Sequence, residues 1–326
     1  MTGDVAIGID LGGTNVKVAA VNPQGGVVAR RDAPLNAPRS PGAVVAQFAD
    51  LARQLLADAG VTRGNVVGIG LGCPGPLNLR TATVIRSANL PGWSNVPIRD
   101  MTADATACAV TLDNDANLAA LGEHWAGAGC GGDTVMLTLG TGVGGGIVLD
   151  GRVFHGHFDN AGELGHTIVE PGGRPCACGQ HGCLEQYASA TAITDRVAAA
   201  IQDGASSELA ETVRRSGTVD ARRVADAVRN EDPLCVRIWD DACRYLAIAC
   251  VGLQHAFNPP RIVLGGGVSL AGDILFARVR RHLADLTWRL HDDTPDICPA
   301  KLGYDAGVIG AARCAWQAYS DKTRTE

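Results

Sequence analysis

His166, Cys176, Cys178 and Cys183 follow the spacing His-x9-Cys-x-Cys-x4-Cys. Soft thiolates with one imidazole suit tetrahedral Zn2+, and with every position filled by protein the ion is expected to be structural. Pro171-Gly-Gly-Arg174 and Gly179-Gln-His-Gly182 supply the turns that fold a short loop around it. His181 lies too close to its neighbouring cysteines to replace His166. The bland alternative is unmetallated buried cysteine, which a polar, glycine-rich loop does not favour. Glu163 stands three residues before one ligand and Glu185 two after the last. The metal would therefore fix two carboxylates able to accept hydrogen bonds from hydroxyl groups.

Two glycine turns carry a different chemistry. Phosphate needs backbone N–H groups at close range, which side chains beyond Cα obstruct. Gly12-Gly13-Thr14 offers bare backbone and a hydroxyl, and Gly140-Thr141-Gly142 does the same later in the chain. Either alone also reads as an ordinary hairpin. Gly140, Gly142 and Gly145 formally match a dinucleotide fingerprint, but Ile147-Val-Leu149 continues as strand where that motif requires a helix. No Gly-Lys-Ser/Thr is present, so there is no Walker-type loop.

Asp115, in Asn114-Asp115-Ala-Asn117, sits between a strand and a helix. Asp at such a place reads first as an N-cap. It is also where a general base would be held rigidly against a substrate hydroxyl, with Asn114 beside it for a neighbouring hydroxyl. Asn89-Leu-Pro-Gly-Trp93 brings a polar group and an aromatic ring, which suits a sugar face or a plain loop with a buried Trp.

The elements that position these groups follow from periodicity. Residues 5–9, 16–21, 27–31 and 66–71 read as strands, and Ser40-Pro41 opens a helix stopped by Gly60. A second round begins near Leu112, with a helix at 116–126 and strands flanking the glycine turn at 135–149. Strand, glycine turn and strand thus occur twice, as in an internal duplication. Helices are expected at 191–203, at 234–256 (as core packing) and from about Asp305. A strand at 261–264 enters Gly265-Gly-Gly267.

The chain has 326 residues, 46% apolar and 19% charged, which suits two domains of roughly 150 residues and excludes a disordered chain. Net charge is −6 with no block of like charge, so no nucleic-acid partner is expected. No apolar run is long enough to span a bilayer. The N-terminus lacks a signal pattern, so a cytoplasmic protein is expected. Eleven cysteines, three within residues 176–183, fit a reducing compartment with one metal cluster.

In order, these motifs make the chain resemble the ROK family of sugar kinases and regulators, in the sugar-kinase/actin-like superfamily. The resemblance rests on Asp10-Leu-Gly-Gly-Thr-Asn-Val-Lys17, Asn114-Asp115-Ala-Asn117 and Leu139-Gly-Thr-Gly-Val-Gly-Gly-Gly146. It continues through Glu163-Leu-Gly-His166, Cys176-Ala-Cys-Gly-Gln-His-Gly-Cys-Leu-Glu185 and Leu264-Gly-Gly-Gly-Val268. The pattern is most similar to bacterial ATP-dependent glucokinases.

The resemblance implies an α/β fold of two actin-like domains around a central cleft. Residues 1–114 with about 307–326 would form the smaller domain, and residues 115–306 the larger one with the zinc loop. It implies transfer of the ATP γ-phosphate to the 6-hydroxyl of glucose, with Asp115 as base. Asn89, Asn114, Glu163, His166 and Glu185 would hold the other hydroxyls, His166 turning one ring nitrogen to zinc and the other to sugar. Asp10 would organise Mg2+ through water. Gly12, Gly13, Thr14 and Lys17, with Thr141 and Gly142, would meet phosphates, and Gly266 and Gly267 would lie near the nucleotide. ATP, Mg2+ and structural Zn2+ are the implied cofactors, and a homodimer or homotetramer the implied assembly. The alternative substrate is an N-acetylhexosamine, N-acetylmannosamine or N-acetylglucosamine. Polyphosphate as donor is disfavoured because no basic run marks a track for it. A sugar-responsive regulator of the same family would carry a DNA-binding region of tens of residues, whereas nine residues precede Asp10.

Overall fold

A computed structural model of the chain describes residues 3–36, 38–87, 90–129, 131–288 and 294–325. The chain divides into two compact units, Met1–Asp133 with Gly146–Gly162 and Lys301–Glu326, and Thr134–Gly145 with Glu163–Ala300. The boundary expected at residues 114 and 115 is one of motif. By packing, the helix after it and Gly146–Gly162 group with the first unit.

The first unit is built on β1 (Val5–Leu11), β2 (Asn15–Val21), β3 (Val27–Pro34), β4 (Val66–Cys73) and, after a small sheet of β5 (Leu77–Asn78), β6 (Thr83–Arg86) and β7 (Ser94–Val96), β8 (Val110–Asn114). The main sheet has the order β3-β2-β1-β4-β8. β1, β2 and β3 pair antiparallel, whereas β4 and β8 run parallel to β1. β1 is apolar from Val5 to Ile9, where it is covered on both faces, and carries Asp10 near its end. β3 is the charged edge, with Arg30, Arg31 and Asp32.

Helix α1 (Pro41–Asp58) starts with Pro at its first turn and buries Val44, Phe48 and Leu55; Ser40 makes no side-chain cap. α2 (Ile98–Thr106) precedes β8 and α3 (Asp115–Ala126) follows it. The C-terminal α10 (Ala306–Thr325) packs Val308, Ile309 and Ala312 with Ala6, Ala19 and Val21 of the sheet. A Cβ at Gly70 would overlap the Ala311 carbonyl oxygen. The glycine-rich strands thus let α10 lie directly on the sheet backbone.

The second unit is built on β9 (Thr134–Leu139), the start of β10 (Val143–Leu149), β12 (Arg261–Gly265) and β13 (Asp296–Pro299). With β11 (Arg152–Val153), the sheet order is β11-β10-β9-β12-β13. β12 runs parallel to β9 and to β13. This repeats the order of the first sheet, with β9 in the place of β1 and β12 in that of β4, as the doubled glycine-turn unit led one to expect. Around it lie α4 (Glu185–Ala188), α5 (Ala190–Gln202), α6 (Ala210–Ser216), α7 (Ala221–Arg229), α8 (Pro233–Phe257) and α9 (Asp273–Leu286). α5 and α8 begin at side-chain caps, Ser189 and Asp232. Ala242, Cys243, Ala247, Ala249 and Cys250 of α8 are buried, whereas Gly252 and Ala256 are exposed. Among the described residues, no helix is long and apolar enough to cross a membrane, and cysteines are free thiols.

Candidate active site

In the first unit the site is the β8–α3 corner. Asn114 ends the strand and Asp115 is the first helical residue. The cap expected of Asp115 is supplied by Asn114, whose Oδ1 accepts from the N–H of Ala116 at 2.9 Å and of Asn117 at 3.4 Å. Asp115 Oδ1 accepts from Ala116 N–H at 2.9 Å. The carboxylate therefore sits at the positive end of α3 on a residue that need not hold the cap. Far along α3, the fully buried Glu123 accepts from Ala128 N–H at 2.7 Å, Lys301 N–H at 3.0 Å and Leu302 N–H at 2.7 Å. These bonds tie α3 to the segment entering α10 and fix its axis.

Asp10 lies near the end of β1, next to β4 in register with Gly72, while Asn114 pairs with Cys73. Burial first, then the charges of Asp115 and Asp10, push the Cys73 thiol well above its ordinary range. Both carboxylates thus act on the same end of the sheet, where strand C-termini of α/β folds present ligands. Asp10 Oδ2 accepts from Lys17 Nζ at 2.8 Å, and that ammonium also stands 3.8 Å over the Tyr304 ring. The first glycine turn is held by Gly12 N–H donating to Asn15 O at 2.9 Å and by Arg39 donating to Gly13 O at 2.9 Å. Thr14 is exposed.

In the second unit the predicted segments are knotted together. Val143 N–H donates to Glu185 Oε2 at 2.9 Å. A Cβ at Gly142 would strike that carboxylate, and one at Gly165, inside Glu163-Leu-Gly-His166, would strike the Val143 carbonyl. At Gly165 the obstacle is backbone, so close approach requires glycine there, whereas at Gly142 it is the end of a side chain that would have to move aside. Ala190 N–H, at the start of α5, donates to Gly140 O at 2.9 Å. Gly266, with φ of +83°, turns the chain at the end of β12 against the Leu139 backbone, so Gly266 and Gly267 lie beside the turn at Thr141. Glu163 is exposed and precedes the short 3-10 turn Leu164–His166.

The ligating atoms of His166, Cys176, Cys178 and Cys183 all lie within 4.8 Å of one another. Cys176 Sγ is 3.6 Å from His166 Nδ1 and Cys178 Sγ is 3.6 Å from Cys183 Sγ. A tetrahedron with Zn–S bonds of about 2.3 Å has edges of about 3.8 Å, so the donor set and its size fit Zn2+. Nδ1 is the ring nitrogen on the cysteine side. Hydrogen bonds from Gln180 lower the Cys178 thiol to about 6, favouring the thiolate a metal needs, whereas burial raises the Cys183 thiol.

Several expectations are altered. Trp93 is 2% exposed and its indole N–H donates to Arg39 O at 2.9 Å, so it is a core residue and offers no face to a sugar. Asn89 lies outside the described residues. Two supports are not evident in the sequence. Tyr187 Oη accepts from Arg174 N–H at 2.8 Å and Tyr245 Oη donates to Glu170 Oε2 at 2.9 Å, the rings 4.0 Å apart beneath the cysteine loop. Asp113, buried behind Asn114, pairs with His155. Only the strand pattern preceding Asn114 could have pointed to Asp113 as inward, and nothing in the sequence pairs it with His155.

A model of the ROK family matches residues 6–318. The chain is 39% identical to a glucokinase of Halalkalibacterium halodurans over 93% of this chain and 92% of that protein. Among solved structures it is similar to a ROK hexokinase from Thermus thermophilus, with TM-score 0.83 and 35% identity over 97% of this chain and 99% of the other. It is also similar to a ROK family glucokinase from Streptomyces griseus in complex with glucose and AMPPNP, with TM-score 0.76 and 30% identity over 96% and 99% of the two chains. The fold is thus the ROK sugar-kinase fold of the actin-like superfamily.

Proposed function

The chain belongs to the ROK family, and we propose that it is an ATP-dependent kinase that phosphorylates the 6-hydroxyl of glucose. The observation that carries this reading is the knot in the second unit, where Glu185 is bonded to the glycine turn beside Glu163-Leu-Gly-His166. One tethered segment thereby offers hydroxyl acceptors and backbone N–H groups together.

Phosphoryl transfer requires positioning and charge neutralisation more than covalent chemistry. Asp115 takes the proton from the 6-hydroxyl as its oxygen bonds the γ-phosphorus and the bond from that phosphorus to the β,γ-bridging oxygen breaks, ADP leaving. Asn114, Glu163, His166 and Glu185, with Asn89, hold the remaining hydroxyls. Backbone of the turns at Gly12, Gly13, Thr14, Thr141 and Gly142 meets the phosphates, with Gly266 and Gly267 near the nucleotide. Lys17, held by Asp10, supplies positive charge on that side.

Asp10 offers the hard carboxylate oxygen that Mg2+ prefers and would hold the ion through water. Mg2+, when bound, would neutralise charge on the transferring phosphates. Zn2+ would be held by His166 through Nδ1 with Cys176, Cys178 and Cys183, fastening the loop between the two glutamates. The actin-like domains would be residues 1–114 with about 307–326, and 115–306. Free thiols and the absence of a spanning helix among the described residues support a cytoplasmic protein. The family resemblance supports a homodimer or homotetramer, which light scattering tests.

The deciding experiment is a turnover panel of glucose, mannose, N-acetylmannosamine and N-acetylglucosamine, each with ATP and with polyphosphate. Glucose with ATP is expected to give the highest kcat/KM and a 6-phosphate product. Preference for an N-acetylhexosamine would overturn the substrate, and preference for polyphosphate the donor.

A further inference from the structure

We propose that His155 is a positioning residue for phosphoryl transfer, acting through Asp113 on the corner that presents Asn114 and Asp115. The inference deepens the reading of Asp115 as base and rests on it.

Asp113 is 3% exposed, and both its oxygens are engaged. Oδ1 accepts from Asn114 N–H at 2.7 Å and from Asn117 Nδ2 at 3.0 Å. Oδ2 accepts from His155 Nε2 at 2.7 Å. The carboxylate thus grips the backbone just before Asp115 and a side chain just after it, and its remaining oxygen is held from outside by the imidazole. A buried carboxylate that loses such a donor is costly to keep in place. It would turn toward water, and that change releases Asn114 N–H.

His155 follows β11 in the segment that leads to Glu163, and hydrogen bonding to Asp113 is the main cause raising its pKa. The charged groups acting on it are Asp113 from β8 and Asp159 from its own loop. Cys314 of α10 feels Asp113 as well, its thiol raised mainly by burial.

The donor is the working part of the imidazole, which sets the test. His155→Met keeps the volume and cannot donate, while His155→Gln keeps an N–H donor. At neutral pH His155→Met is expected to lower kcat about 10-fold to 100-fold, the scale of an ångström-level misplacement, with KM for ATP unchanged. His155→Gln should restore kcat to within about 3-fold of wild type. Because the effect runs through Asp115, adding His155→Met to Asp115→Asn should change the residual turnover by less than about 2-fold.

Wild-type kcat in His155→Met, a loss in His155→Gln equal to that in His155→Met, or an undiminished further loss in the double variant each overturns the proposal. Should His155→Met fail to fold, Asp113→Asn, which keeps the volume, reads the pair from its other side. It should show the same selective fall in kcat, and wild-type kcat there also overturns the proposal. Asp115→Asn with wild-type turnover would instead overturn the base reading and the coupling with it, whatever His155→Met does.

Discussion

The backbone N–H of Val143 donates to Glu185 Oε2 at 2.9 Å. One oxygen of a carboxylate expected to serve a sugar is thereby committed to the glycine turn expected to serve phosphate. The turn cannot shift without moving the carboxylate, and a Cβ at position 142 would push the carboxylate aside. Gly142→Ala should therefore displace Glu185 and raise the glucose KM about tenfold, the worth of one hydrogen bond to a charged group. Steady-state kinetics at saturating ATP checks this, and an unchanged KM would show that Glu185 does not hold the sugar.

Asp115→Asn should leave the fold intact, because Asn114 and not Asp115 caps α3. Turnover is expected to fall by about 10² or more if proton removal is its task. A coupled assay for the sugar phosphate, with thermal denaturation as control, measures both.

Asn114→Ala should do the reverse for stability. It removes the acceptor of the Ala116 and Asn117 N–H groups, a loss worth about 1 kcal/mol. Chemical denaturation should show a lower midpoint at unchanged slope, and an unchanged midpoint would contradict the capping role.

Cys178→Ser should lose stoichiometric zinc and weaken sugar binding at least tenfold, with nucleotide affinity retained. The loop has further support from Tyr187 and Tyr245, so the variant is expected to stay folded. Metal analysis and calorimetry with each ligand decide it. Normal glucose binding by the metal-free protein would mean that the tyrosine frame alone positions Glu163 and Glu185.

The His155–Asp113 pair gives stability a pH dependence of known sign. The folded pKa of His155 is raised, chiefly by its hydrogen bond to Asp113. Its contribution is complete below the unfolded value of about 6.5 and is lost as pH rises through the raised folded value. The melting temperature of wild type relative to His155→Gln should therefore decline with rising pH across that window. A constant difference would show that the imidazole does not titrate with folding.

Local signals in the sequence determined much of this protein. Strand, glycine turn and strand recur in it because sheet backbone covered on both faces must be apolar and tight turns need glycine. The cluster of His166, Cys176, Cys178 and Cys183 was legible because soft donors at short spacing have few other uses in a polar loop, and the fold brings their ligating atoms within 4.8 Å of one another. Glu163 and Glu185 were singled out by their nearness to that cluster, and the proposal that they hold the sugar rests on it. Tertiary structure decided what depends on partners distant in the chain. Trp93 reads equally as ring for a sugar or as core until Arg39 O is placed beside its N–H. Asp115 reads as a cap until Asn114 is seen to make the bonds. His155 has no local pattern, since its meaning is a buried carboxylate 42 positions away. Glu185 and Val143 are likewise separated by 42 positions. Periodicity and spacing record what neighbouring residues require of one another, whereas burial and hydrogen bonding across the chain exist only once the sheets and helices have packed.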